Sequence, residues 1–316
     1  MSILTPQSSI QPSVAILMGS YNGSKYIGQQ LESFANQTHA NWRLVVSDDG
    51  STDDTLAQIE KHTQAWAPGQ LTVRQGPRQG FCHNFLSMAC DTTLQADMYA
   101  FSDQDDVWLP NKLQVAVEHI QQHARPEQPY VYCGRTTYVR DNLKPYEQST
   151  LFVYPRSFRN ALIQSIAGGN TMVFNQAAKK LIEQAGMVPT VSHDWWLYQL
   201  ITGAGGRVFY DEKSYILYRQ HAQALVGGNT TIAARFKRIF LVFQGRFEAW
   251  TDRNILALNQ ARDLLTPESR EIFDLFVRLR HSTLRHRFRM LEVCGLYRQT
   301  WRGTISLIIA AVFKKI

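Results

Sequence analysis

Short apolar runs and helix-spaced apolar residues take turns along the first 125 residues. The run VAILMGS from Val14 reads as a buried strand. Ile27, Leu31 and Phe34 follow at the spacing of a helix face, with Asn22 or Ser24 as its cap. WRLVVSD is a second strand, and beyond it Ser51 and Asp54 have capping-box spacing ahead of Leu56 and Ile59. LTVRQ predicts a third strand, FCHNFLSMAC a short helix and MYAFSD a fourth strand. Pro110 suits the first turn of a helix that aligns Leu113, Val117 and Ile120. Alternation at this pitch predicts an α/β domain with a largely parallel sheet and right-handed crossovers.

After about residue 130 the strand signals crowd together as YVYCG, TTYVR, GGNTMVFN, GRVFYDE and SYILYRQH, with helices at 175–185 and 193–203 among them. A mixed half is thereby added to the parallel one. Beyond about Gly228 the strand signals stop, and the chain reads as helices rich in Arg and Phe. Polar residues gather where strands end, at Ser20–Asn22, Asp48–Asp49 and Asp103–Asp106. Open α/β sheets bind ligands beyond the carboxyl ends of their strands, so these three clusters are expected to line one crevice.

Composition narrows the class. The chain has 316 residues, 44% hydrophobic and 19% charged, enough for one large domain or a domain with an appendage. Cys82, Cys90, Cys133 and Cys294 are scattered without a C-x-x-C pair, which argues for a reducing compartment and against a disulfide framework or structural zinc. No basic segment precedes an apolar stretch at the N-terminus, so no signal peptide is expected. The apolar run ISLIIAAVF at 305–313 is about half of the roughly 20 residues that span a bilayer. Charge is uneven. Residues 235–316 hold 16 Lys/Arg against 7 Asp/Glu, whereas the remainder holds 17 against 19. An anionic partner is expected at the C-terminal end, a membrane face or nucleic acid.

Asp103, Asp105 and Asp106, with the amide of Gln104 among them, crowd negative charge at the end of an apolar strand. Two readings of them stand. A D-x-D pair supplies the oxygen ligands that Mg2+ or Mn2+ prefers, the ion sharing the phosphates of a nucleotide. Alternatively the loop is solvated and caps the helix near Pro110, where Asp is favoured.

The segments GSYNGSKYIGQQLESFANQT, VVSDDGSTDDT, FSDQDDVWLPNKL, AGGNTMVFN, SHDWWLYQL and YRQH follow in order over roughly residues 12–225. Together they strongly resemble the inverting glycosyltransferases of family 2, whose nucleotide-binding half has the GT-A fold. FSDQDDVWLPNKL, HDWW and YRQH look most similar to bacterial rhamnosyltransferases that use dTDP-L-rhamnose. The resemblance implies an α/β, GT-A-type fold with a mixed, mainly parallel sheet flanked by helices and a helical C-terminal extension. It implies a glycosyltransferase domain over 1–228, with a nucleotide-binding half at about 12–125 and an acceptor half at about 126–228. A basic helical region over 229–316 follows.

Roles follow from the matching positions. Ser20 and Tyr21 lie in the turn that packs on the nucleoside, and Asp49 would accept the imide N–H of uracil or thymine. Asp48 is either a nucleotide ligand or the holder of its turn. Asp103 and Asp105 would be the D-x-D pair on Mg2+ or Mn2+, with Asp105 the direct ligand and Asp103 nearer the ribose; Asp106 would cap the helix. Asp194 takes the position of the catalytic base, which must lie within about 3 Å of the acceptor hydroxyl. Its other reading is an N-cap for the apolar helix behind it. Trp195 and Trp196 are core residues or walls of the acceptor pocket. His221 would be a further metal or diphosphate ligand and Arg219 a diphosphate contact. Gly169 and Asn170 would let backbone approach the donor sugar or acceptor, an ordinary turn being the alternative. Relatives often carry Arg before the Asn of the third helix, where this chain has His83.

Near the C-terminus, Ile232, Phe236, Ile239, Phe240 and Phe243 keep helical spacing among Arg235, Lys237, Arg238 and Arg246. The last apolar run is flanked by Trp301, Arg302, Lys314 and Lys315. Basic amphipathic helices of this kind lie in membrane interfaces; the alternative is packing on the catalytic domain or on a second subunit. Interleaving with large apolar residues favours an anionic membrane over nucleic acid. A nucleotidyltransferase would carry a Gly-rich basic phosphate loop, which MGSYNGSKY does not match, and a dehydrogenase would carry G-x-G-x-x-G. The expectation is a cytoplasmic enzyme, peripheral on the inner face of the cell membrane. It would move L-rhamnose from dTDP-L-rhamnose to a lipid-linked or growing glycan.

Overall fold

The computed structural model describes residues 11–220 and 246–316. Among the described residues a single sheet of nine strands carries the fold, with strand order β3-β2-β1-β4-β8-β6-β9-β5 and β7 beside β6. Its N-terminal half is parallel: β1 (Val14–Ser20) lies between β2 (Trp42–Asp48) and β4 (Met98–Ser102), and β3 (Leu71–Gln75) borders β2. In the second half β8 (Val173–Asn175) runs antiparallel to both β4 and β6 (Tyr130–Val139), and β6 runs parallel to β9 (Arg207–Arg219). The short β5 (Val107–Trp108) and β7 (Pro145–Gln148) pair antiparallel with β9 and β6.

Period-two alternation assigns each strand residue to a face. Val14, Ile16, Met18, Leu44, Val46, Met98 and Ala100 enter one buried cluster. Helices α1 (Ile27–Ala35) and α4 (Lys112–His123) cover it with Leu31, Phe34, Leu113 and Val117. Ala15, Leu17, Val45, Tyr99 and Phe101 enter the other cluster. It is closed by α3 (Phe81–Ala89), α6 (Gln176–Ala185) and α7 (His193–Gly203). On the strand-edge side lies α2 (Thr55–Thr63), which buries Ile59 beside α1.

Four helices described over residues 246–316 extend this second cluster. α8 (Arg246–Gln260) brings Ala257 and Leu258, α9 (Pro267–His281) brings Phe273 and Phe276, α10 (Leu284–Cys294) brings Cys294, and α11 (Trp301–Val312) brings Leu307 and Ala311. Thr266 caps α9 at the amide of Ser269, with Pro267 at the first helical position. The buried Arg287 donates to the carbonyls of Ala311 and Val312, acceptors that the end of α11 leaves without helical partners. Among the described residues no helix is long and apolar enough to cross a membrane.

Several local expectations change. The two strands expected at YVYCG and TTYVR are one, β6, and GRVFYDE and SYILYRQH fuse into β9; register shifts near Gly134 and Arg135 absorb the irregularity. Ser51 does not cap α2, because its amide and hydroxyl are both bound by Asp48. Neither Asn22 nor Ser24 caps α1, which starts after Tyr26 without a side-chain cap. α4 begins at Lys112, two residues beyond Pro110.

Candidate active site

Register places the polar strand ends together. Ser20 pairs with Asp48 across β1 and β2, Asp48 with Gln75 across β2 and β3, and Met18 with Ser102 across β1 and β4. The loops that follow β1, β2, β3 and β4 therefore open on one edge of the sheet.

Asp48 is buried, and its carboxylate is saturated from within the protein. Oδ1 accepts from the amides of Gly50 (3.1 Å) and Ser51 (2.8 Å), Oδ2 from the hydroxyls of Ser20 (2.8 Å) and Ser51 (2.6 Å). Burial opposes ionisation, but these donors outweigh it and hold the carboxyl below its ordinary range. Ser20 is spent in the same contact. Asp49 reaches the β3–α3 loop, where Oδ1 accepts the amide of Arg78 (2.6 Å) and Oδ2 that of Gly80 (2.8 Å). These bonds hold a loop whose Arg78 has φ 57, a left-handed conformation that a side chain disfavours. Each Asp49 oxygen retains acceptor capacity for a further donor. Tyr21 stands 57% exposed at the rim.

The acidic loop lies beside these. Desolvation, reinforced by the charges of Asp105 and Asp194, pushes the Asp103 carboxyl up to about 8. Asp103 and Asp194 are 91 residues apart in sequence, yet the fold brings their charges into interaction. In the first turn of α7, the Asp194 Oδ1 accepts from the Ser192 hydroxyl (2.5 Å) and the Trp195 amide (2.6 Å), whereas Oδ2 takes no hydrogen bond among the described residues. A carboxylate oriented through one oxygen and open at the other is suited to take a proton.

Other expected residues lie elsewhere. Trp195 and Trp196 are buried in the core, Trp195 donating to the carbonyl of Ala161 (2.7 Å), so neither forms an acceptor wall. Arg219 does not face a diphosphate. It is 1% exposed beneath the acidic loop, donates to the carbonyls of Asp105 (2.9 Å) and Asp141 and to Gln29 Oε1 (2.5 Å), and stacks over the Tyr26 ring. Asp106 does not cap α4. It is buried, accepts from Asn170 Nδ2 (2.5 Å) and the Arg219 amide (3.2 Å), and burial with its acidic neighbours raises its pKa. Asn170 is thereby committed to Asp106 rather than to a ligand. A Cβ at Gly169 would lie 2.2 Å from Nε2 of His193, so internal packing requires that glycine. His221 lies outside the described residues.

Three side chains here carried no sequence signal of their own. His193 is buried against Phe85, its ring stacked at 4.0 Å, and desolvation holds it down at about 4. The Lys112 amine sits 3.4 Å from the Trp108 ring centre without a hydrogen bond among the described residues, pushed down to about 7 by burial. Gln104 binds the backbone of Tyr21.

A divalent cation fits this donor set. The carboxylates of Asp103 and Asp105 would offer hard oxygen donors, and a cation between them would relieve their mutual repulsion. Among the described residues no group of three or more His, Cys, Asp or Glu forms a complete cage, so the remaining ligands would come from diphosphate, water or residues outside that set.

The sequence profile described as Glycosyl transferase family 2 matches residues 15–182, from β1 into α6 and across the acidic loop. The chain belongs to glycosyl transferase family 2. Among the family's curated members, the dTDP-rhamnosyl transferase RfbG of Shigella flexneri is 26% identical over 246 residues, covering 71% of this chain and 78% of that protein. Among solved structures, S. aureus TarS 1–349 in complex with UDP-GlcNAc aligns at a TM-score of 0.53 and 16% identity, over 84% of this chain and 91% of that one. The mannosyltransferase PcManGT of Pyrobaculum calidifontis, in complex with GDP-Man and Mn2+, aligns at 0.51 and 18% identity, over 98% and 88%. These neighbours are GT-A glycosyltransferases, and this family 2 chain has their fold.

Proposed function

We propose that the enzyme transfers a deoxysugar, L-rhamnose, with inversion from dTDP-L-rhamnose to a lipid-linked or growing surface glycan. What supports this reading is the packing of His193, next to Asp194, edge-on against Phe101 of β4 at 4.8 Å, which brings the start of α7 up to the strand that leads into the acidic loop. Support for the donor is the similarity to a dTDP-rhamnosyl transferase.

Tyr21 offers a ring for the base, and Asp49 has acceptor capacity left for an imide N–H. Asp48 and Ser20 hold the turn that presents them. Asp103 and Asp105 would hold Mg2+ or Mn2+, which when bound stabilises the departing diphosphate as a Lewis acid. Asp194 Oδ2 takes the proton of the acceptor hydroxyl as its oxygen attacks the anomeric carbon from the face opposite the diphosphate. Ser192 and the Trp195 amide fix the orientation of that carboxylate. Asp106, Asn170 and Arg219 support the acidic loop from below. In this reading the enzyme works at the inner face of the cell membrane, docking through its basic C-terminal helices.

The test is a panel of nucleotide sugars with Mn2+ or Mg2+, followed by product anomer assignment by NMR. Asp105→Ala and Asp194→Asn are each expected to lower turnover about 10²-fold or more. Full turnover by either variant removes its residue from the mechanism, and a retained anomer removes the single-base chemistry.

A further inference from the structure

The middle residue of the acidic motif has a task of its own. The Gln104 side-chain amide makes a two-point contact with one residue of the β1–α1 loop: Oε1 accepts the Tyr21 amide at 3.0 Å, and Nε2 donates to the Tyr21 carbonyl at 2.9 Å. An amide side chain offers a donor and an acceptor side by side, a pair that an ionised Asp or Glu or an aliphatic residue cannot reproduce. Space for it is left by Gly23, where a Cβ would sit 2.1 Å from Gln104 Oε1 and 2.2 Å from its Cδ.

The same loop is tied on its other side. The Asn22 amide donates to the Ser51 hydroxyl (2.9 Å), and Asn22 Oδ1 accepts the Thr52 amide (2.8 Å). Asn22 itself has φ 47, which the loop must maintain. Tyr21 is thus a fixed backbone with a free ring, held between the β2–α2 turn and the acidic loop.

We infer that Gln104 is a positioning residue that locks the Tyr21 loop to the Asp103–Asp105 carboxylates, so that nucleoside and diphosphate are recognised in one fixed register. This rests on the nucleotide-sugar reading above. Gln104 touches no substrate in this role; it acts through Tyr21 and its acidic neighbours. Loss of the contact leaves the ring and the carboxylates intact but lets their separation vary, so donor binding weakens while the bound donor reacts at the usual rate.

The experiment measures binding of dTDP and UDP by calorimetry, with and without Mn2+, and donor KM and kcat for the wild type, Gln104→Ala, Gly23→Ala and the double variant. Loss of two neutral hydrogen bonds is expected to raise the diphosphate Kd and donor KM of Gln104→Ala roughly tenfold, with kcat within about twofold. Gly23→Ala is expected to show the same split, because its Cβ evicts the glutamine. The double variant is expected to bind no worse than Gln104→Ala, since removal of the side chain makes room for the methyl group. A near-ultraviolet circular dichroism spectrum like that of the wild type separates this from misfolding. Wild-type KM in Gln104→Ala, losses that add in the double variant, or a fall confined to kcat would each overturn the inference. A wild type that binds neither diphosphate and turns over no donor would instead overturn the nucleotide-sugar reading, and this inference with it.

Discussion

Asp103 carries part of the cost of building the site. It is desolvated, it lies beside Asp105, and Asp194 adds a third negative charge from a distant segment. Its carboxyl titrates at about 8 instead of the ordinary 3.8. Between those values the folded chain keeps a proton that the unfolded chain has released. Stability from this group is therefore fullest below about pH 4 and falls as pH rises through about 8. In metal-free buffer, the Tm of the wild type relative to Asp103→Asn should fall by about 3–5 °C between about pH 5 and pH 8. Millimolar Mn2+ should cancel that fall, because a cation on the pair replaces the proton. Differential scanning fluorimetry across pH, with and without Mn2+, checks it; a flat difference would show that Asp103 is hydrated and ionised. His193, held down at about 4, works in the opposite sense and loses its stabilising share as pH falls from about 6.5. The comparison with Asp103→Asn removes that contribution, since both proteins carry it.

At the scale of elements, the end of β9 is the underside of the site. Arg219 joins β9 to the acidic loop, to Gln29 of α1 and to Asp141 beyond β6. Its substitution by Met leaves three part-buried acceptors without their donor and should cost about 1–3 kcal/mol in urea denaturation. Arg219→Lys should recover less than half of this, since one ammonium cannot reach three separated oxygens. A diphosphate contact would behave differently, raising donor KM at unchanged stability. The motif around Arg219 was visible in the sequence, but its orientation was not, because strand parity alone does not say which polar end of a strand is roofed by a loop from elsewhere. The same gap explains Trp195 and Trp196, where α7 is buried on nearly every side and an aromatic pair at its start carries no mark of facing a ligand. Strands β1 to β4 and helices α1, α3, α6 and α7 were legible because each has a clean period or a clear apolar run. β6 and β9 read as four pieces because Gly134 and the polar stretch Asp211–Ser214 interrupt the pattern, whereas the paired backbone resumes beyond the irregularity at Glu212 and Lys213. Gln104, His193 and Lys112 depend on contacts between distant segments, which no local pattern encodes.

For the whole molecule, the C-terminal helices are both part of the core and a surface of unusual character. Phe273, Phe276, Leu307 and Ala311 complete the buried cluster that also holds Phe85 and Trp196, so deletion of residues 246–316 would expose the core and report on folding alone. The outward side of α11 is separable from this. Trp301, Ile305, Ile308, Ile309 and Phe313 recur at helical spacing and are exposed, the three isoleucines by 40–47% and Trp301 by 62%. Leu284 and Phe288 of α10 are exposed as well. Arg285, Arg289, Arg302 and Lys314, all exposed, supply positive charge on the same two helices and just beyond them. A 12-residue helix of this character suits the interface of an anionic bilayer, with the apolar side chains in the acyl boundary and the cations at the headgroups. Each cation near such a leaflet contributes about 1 kcal/mol and each buried apolar side chain somewhat more, so the two sets can be separated by salt. The full-length wild type should float with vesicles containing phosphatidylglycerol and less with neutral vesicles. Trp301→Ser/Ile305→Ser/Ile309→Ser should reduce binding roughly tenfold or more while turnover of a soluble acceptor stays near the wild-type level. Arg302→Gln/Lys314→Gln should weaken binding at low salt and matter little at high salt. Equal flotation by all of these proteins would show that α11 faces another surface, such as a second copy of the chain. Sedimentation equilibrium of the triple variant against the wild type would test that case, because loss of a second copy changes the mass.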